Sequence, residues 1–267
     1  MPLTMPLLAD ARAVGGLDGC RAGWVLATIP IPIPDPTPDP TPGPLGRPVR
    51  VEPAVAAVRV IATFGEALAL IHDATLAVLG VDMPIGLPDH GPRAADLAAR
   101  RRLGRRGSSV FPTPPRAVLG ATDYPEALAR SRAVDGRGLS KQAFHLLPKI
   151  AEIDHALRPD LQDRVFECHP EVAFARLAAG PLSHPKRLLV GREERLALLH
   201  PLIANVRELA EPRLYRPRAG APPDARPDDV LDALVVALSA ARVAAGTAER
   251  LGDGATDARA LRMEIIV

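Results

Sequence analysis

Apolar positions first gather at residues 14–20 and 23–30, two short runs separated by "RA" and edged by glycine, the pattern of a β-hairpin. "VAAVRVIAT" (55–63) predicts a third strand, and Leu68 and Ile71 in "FGEALALIHDA" (64–74) have helical spacing. "TLAVLGVDMPIGLP" (75–88) is apolar with almost no interruption, as in a strand buried on both faces. Residues 93–158 read as mainly helical and irregular, and "DRVFECHPEVAFARLA" (163–178) as a short strand that turns into a helix. "REERLALLHPLIANVRELA" (192–210) is an amphipathic helix interrupted near Pro201, and residues 216–227 are a loop. The last long element, 228–246, is apolar nearly all round and stops at Gly246. Nine prolines between 30 and 48 remove donors and fix φ, predicting a stiff, extended insertion in a hairpin loop.

Hairpin, strand, helix, strand, helical insertion, strand, helix, helix is the order of a mixed α/β sheet, an antiparallel meander followed by parallel strands. That order matches the ribonuclease-H-like fold, here as one domain over residues 1–267 with insertions at 30–48 and 93–158. With 47% apolar residues the chain can bury a sizeable core. A net charge of +2 gives no bulk argument for nucleic acid, and 3% aromatics count against a binder that works by stacking bases. Cys20 and Cys168 supply neither a disulfide framework nor zinc spacing. The start lacks a secretion signal, and no apolar run approaches the roughly 20 residues of a membrane helix. A cytoplasmic protein with no membrane partner is the expectation.

Candidate chemistry lies where carboxylates interrupt apolar segments. Asp18 sits inside the first run, before a glycine. Asp82 closes "LAVLGVD" at a strand end, where sites form in open α/β sheets. In "VFECHPE", alternation puts Glu167 and His169 on one face and Phe166 and Cys168 on the other. In "RPDDVLDALVVALSAA", Asp228 reads as an N-cap, and Asp229 and Asp232 share a helix face three residues apart. A carboxylate on a buried helix costs several kcal/mol unless it is neutralised. A divalent cation with oxygen preference, Mg²⁺ or Mn²⁺, would remove that cost. Two such ions can also activate water against a phosphodiester.

"RAADLAARRRLGRRGSSVFPTPPR" (93–116) carries seven arginines against one aspartate. Guanidinium forks and a Gly-flanked loop with two hydroxyls suit phosphate. Arg21, Arg102, Arg105, Arg106, Ser108, Ser109, Arg116 and Lys149 are the candidate phosphate contacts, for a nucleic acid backbone or a phosphorylated small molecule.

The blocks "GLDGCRAGWV", "VDMPIGLP", "RRGSSVFPTPPR", "GLSKQAFHLLPKIAEID", "VFECHPEVAFARL" and "DDVLDALVVA" occur in this order between residues 14 and 246. Together they resemble the domain-of-unknown-function family 429, described as predicted ribonuclease-H-like nucleases. The resemblance implies that Asp18 and Asp82 are strand-borne metal ligands. It also implies that Asp229 and Asp232 correspond to the helix-borne acidic pair of ribonuclease-H-like junction resolvases. Glu167, His169 and Glu171 match the family's Glu-x-His-Pro-Glu block. The implied activity is metal-dependent hydrolysis of nucleic acid. Asp18, Asp82 and Asp232, with Asp229, would hold the ions, and Glu167 or His169 would orient water or protonate the leaving group. Sugar kinases and actin-like ATPases share the fold, so transfer or hydrolysis of phosphate on a small substrate is an alternative. The second acidic hairpin and glycine-rich adenosine loop of those proteins are missing from this sequence. A non-enzymatic binder that keeps the fold is the other alternative.

Overall fold

The computed structural model describes residues 12–31, 53–211 and 224–267. Most of the proline-rich insertion and most of the 216–227 loop therefore lie outside the described residues. The hairpin forms β1 (Ala13–Cys20) and β2 (Gly23–Pro30), followed by β3 (Ala57–Ile61), α1 (Phe64–His72) and β4 (Leu76–Val81). The insertion contributes α2 (Ala94–Leu103), α3 (Tyr124–Asp135) and α4 (Lys141–Ala156). Then come β5 (Val165–Glu167), α5 (Pro170–Leu177), α6 (Leu189–Leu199), α7 (Val206–Leu209) and α8 (Pro227–Ala244). Two short strands, β6 (Arg250–Leu251) and β7 (Ile265–Ile266), close the chain.

The main sheet has the order β3-β2-β1-β4-β5. β1, β2 and β3 are antiparallel neighbours, and β4 and β5 run parallel to β1. This is the ribonuclease-H-like mixed sheet expected from the element order. Strand alternation gives it two apolar faces. Val14, Val25, Val78 and Phe166 pack with residues of α5, α6 and α8. Leu17, Leu26, Leu79 and Val165 pack with residues of α1 and α4. Trp24 is fully buried on the second face, and its indole N–H donates to Glu152 at 3.1 Å.

The placement of α8 follows from two glycines. Every residue of α8 from Val230 to Arg242 is buried, so the helix must lie close on the sheet. Gly16 of β1 and Gly80 of β4 are partners in the parallel ladder. A Cβ on Gly16 would stand 2.1 Å from the Ala233 carbonyl oxygen and 2.3 Å from the Ala237 nitrogen. One on Gly80 would stand 2.8 Å from a Val236 methyl. The paired glycines thus form a flat seat on which the helix backbone rests directly.

One detail differs from the sequence expectation. α8 begins with Pro227 at its first position and Arg226 as the cap, so Asp228 does not cap it. Proline loses nothing there, because a first-turn N–H has no helical partner. The interruption expected near Pro201 is present: α6 ends at Leu199, and the short α7 follows. The tail also belongs to the fold. Ile266 bridges to Cys168 beyond β5, and Asp257 accepts the Leu87 N–H at 3.0 Å. No helix among the described residues is long and apolar enough to cross a membrane.

The glycine seat predicts unequal costs. Gly16→Ala must displace helix backbone and is expected to lose several kcal/mol, as overpacking does at its upper end. Gly65→Ala on α1 meets only Thr63 Oγ1 at 3.7 Å and is expected to gain up to about 1 kcal/mol in helix propensity. Urea unfolding of the two variants checks both; equal midpoints would refute the close seating of α8.

Candidate functional site

The ladder that pairs Gly16 with Gly80 also aligns Leu17 with Val81. The Asp82 N–H continues it by donating to the Leu17 carbonyl at 2.8 Å. Asp18 and Asp82 therefore stand side by side on adjacent strands, on the same face as the glycines two residues earlier. That face carries α8, and Asp232 lies one residue before Ala233, where the helix touches Gly16. Carboxylate oxygens of Asp18, Asp82 and Asp232 all lie within 4.8 Å of one another. Residues 214 positions apart in sequence meet because one glycine pair sets the helix and the same register sets the strands.

Lys186, from the segment before α6, sends its ammonium group onto Asp232 Oδ2. The other oxygen, Asp232 Oδ1, is buried and has no hydrogen-bond partner among the described residues. Burial holds the Asp18 carboxyl well above the usual carboxylate range, with Asp82 and Asp232 adding repulsion. Asp82 is pushed up to about 7 by burial and then by Asp232, while Lys186 pulls it back. Asp232 is also raised by burial, against the pull of Lys186. The Lys186 ammonium is held in its charged form chiefly by Asp232. Three clustered carboxylates with one lysine remain short of positive charge. Their all-oxygen donor set and the orphaned Asp232 Oδ1 fit a hard divalent cation such as Mg²⁺ or Mn²⁺.

The cluster lies in a cleft of about 510 Å³ that also includes Arg106, Ser108, Ser109, His169, Arg187 and Asp229. Asp229 stands at the third position of α8 and accepts the Arg226 N–H at 2.8 Å, which makes it a cap residue beside the triad. Burial raises it to about 6. His169 precedes α5, with its Nδ1 buried and unpartnered among the described residues. Burial lowers its pKa below the usual value, so the imidazole is neutral near pH 7.

Glu167 leaves β5 on the face opposite Phe166 and Cys168, as alternation predicts, and lines the same cleft as the triad. Its ladder partner is Val81, so its side chain leaves the sheet opposite Asp82. There Arg93 grips both oxygens at 2.6 and 2.7 Å, and the Ile85 N–H adds a third bond at 2.7 Å. Arg93 also bonds Asp96 and the Ile85 carbonyl. Glu167 thereby fixes the loop that follows Asp82. Glu171 is likewise engaged, by the buried Arg195 and by Arg106 at 3.2 Å.

Most of the expected phosphate contacts are occupied elsewhere. Arg21 bonds Asp224 at 2.8 Å on the surface, Arg102 bonds Glu249 at 2.6 Å, and Arg105 is exposed. Arg116 bonds Asp154 and Asp257, and Lys149 lies 4.4 Å over the Trp24 ring. Of that set, Arg106, Ser108 and Ser109 line the cleft. Lys186 and Arg187 line it too and were not expected. The available signal was that Lys186 is one of three lysines in a chain with 30 arginines.

The sheet order and the two strand-end aspartates with a third from the covering helix define a ribonuclease-H-like protein with an acidic centre. The chain belongs to the family described as protein of unknown function (DUF429), which matches residues 16–257. Neither a curated protein nor a solved structure matches it.

A pH dependence follows from the triad. Asp82 keeps its proton in the folded state up to about pH 7, whereas in an unfolded chain it loses it near 3.9. The folded state binds the extra proton between those values, so stability falls as pH rises through that window. In chelator, the melting temperature is expected to be lower at pH 8 than at pH 5. Asp82→Asn should flatten that slope and melt higher at pH 8; identical slopes in the two proteins would remove Asp82 from the account.

Proposed function

We propose that this protein is a divalent-metal-dependent phosphodiesterase that acts on nucleic acid. The observation that carries the reading is the meeting of Asp18, Asp82 and Asp232 within 4.8 Å at the strand ends beneath α8. These three side chains would hold the ion. Bound there, Mg²⁺ or Mn²⁺ would supply activation of water and neutralisation of phosphate charge.

The remaining groups of the cleft divide the other tasks. Arg106, Arg187 and Ser108 donate to phosphate oxygens and orient the scissile group, while Ser109, whose hydroxyl donates to the Arg106 carbonyl at 2.8 Å, shapes their loop. His169, neutral and with an unpartnered Nδ1 buried at the cleft wall, suits the acceptance of a proton from a ligand that reaches it better than the protonation of a leaving group. Asp229 adds negative charge at the cleft wall. Glu167 acts through the loop after Asp82, since its oxygens already belong to Arg93.

A second reading, hydrolysis or transfer of phosphate on a small substrate, draws on the same cleft. Its volume of about 510 Å³ suits a ligand of one or two nucleotides. Few cations of the arginine-rich segment face it, which favours a short substrate over a long strand.

Labelled DNA, labelled RNA and mononucleotides, each with Mg²⁺ or Mn²⁺, distinguish the readings beside an Asp18→Asn variant. Ion-dependent cleavage of strands is expected. Its loss in the variant should exceed the roughly 10–100-fold typical of outer-shell metal-site changes. Cleavage that survives Asp18→Asn sinks the assignment, and turnover confined to mononucleotides favours the second reading. Lys186→Met is expected to tighten Mn²⁺ binding in calorimetry at pH 8, because it frees Asp232. Weaker binding would instead make Lys186 a support of the ion.

A further inference from the structure

A second cleft, of about 700 Å³, lies between α5, α6 and the C-terminal end of α8. It is separate from the acidic centre. Arg242 follows Asp232 by ten residues on the same helix, a separation of about 15 Å at the helical rise. Arg242 is only 8% exposed and lines this cleft. Its guanidinium has no hydrogen-bond or ion-pair partner among the described residues, and none of its nitrogens is sealed from solvent. A recessed, unpaired guanidinium is costly to bury unless an anion meets it.

The surroundings add to that demand. Arg102 and Arg176 line the same cleft, and Glu249 bridges them at 2.6 and 3.4 Å. Three guanidiniums against one carboxylate leave two positive charges unbalanced. The walls are apolar, with Leu198 and Pro201 among them.

We propose that this cleft is a binding site for a small phosphomonoester with a partly apolar body. A phosphomonoester carries about −1.5 to −2 charges near pH 7, which balances the cleft, whereas a carboxylate supplies half that. The phosphate meets the Arg242 fork bidentately, and Arg102 and Arg176 close over it from the rim. The cleft is far larger than inorganic phosphate, and Leu198 and Pro201 face the organic part.

Calorimetry with phenyl phosphate and with adenosine 5′-monophosphate tests this, in chelator so that the aspartate cluster holds no ion. Phenol and adenosine are the uncharged controls. Both phosphates are expected to bind, inorganic phosphate more weakly, and the controls not at all. Arg242→Met should weaken binding roughly 10–100-fold, the scale of one lost charged hydrogen-bonded contact. Arg242→Lys, which keeps the charge without the fork, should fall between and guards against a folding defect. Asp18→Asn should bind as the parent does, which separates this site from the acidic centre. Absence of binding at millimolar concentration, equal binding of the controls, or an affinity unchanged in Arg242→Met would overturn the proposal.

Discussion

The contact between α8 and the glycine pair Gly16–Gly80 is the constraint on which the rest of the molecule depends. A helix with side chains beneath it lies roughly 10 Å from a sheet, whereas bare glycines let its backbone approach the strands themselves. That approach brings Asp232 within reach of two strand-borne carboxylates whose spacing is set by the ladder. A slip of one residue in the β1–β4 register would send Asp18 to the opposite face and leave Asp82 alone. The acidic centre is therefore set first by packing geometry, with the loop after Asp82 held by the Arg93–Glu167 pair.

The same geometry concentrates charge where solvent cannot screen it. Asp18 and Asp232 are buried, and each raises the cost of the other's ionisation. The fold meets this in two ways. Protons stay on carboxyls that would be ionised in water, and Lys186 contributes an ammonium from a neighbouring segment. The Arg93–Glu167–Asp96 network solves a similar problem differently. There one guanidinium serves two carboxylates, and the Ile85 and Thr113 N–H groups supply further hydrogen bonds, which makes that cluster a brace for the loop after Asp82.

Much of this was legible in the sequence because it rests on periodicity. The two hairpin strands, the doubly buried β4 and the apolar α8 all announce their burial through composition and spacing. Asp18, Asp82 and Asp232 stood out as carboxylates inside such segments. What periodicity could not supply was parity between strands. Glu167 does line the triad's cleft, but that it leaves the sheet opposite Asp82 and meets Arg93 depends on its register with Val81, which no local pattern encodes. The arginine segment was similarly ambiguous. Whether Arg102 or Arg116 meets phosphate or a carboxylate depends on partners more than a hundred residues away, Glu249 and Asp257. The strands that the tail forms, β6 and β7, are two residues each, too short to signal themselves by periodicity.

Lys186 has a consequence for how the molecule comes into being. In small zinc domains the metal contributes folding energy outright, so the chain waits for its ion. Here the chain brings a cation of its own, tethered to the element that follows α5, and the three aspartates can assemble around it during synthesis. Filling the centre with the proposed ion would then be a reversible exchange on an already folded protein, governed by the free ion concentration of its surroundings.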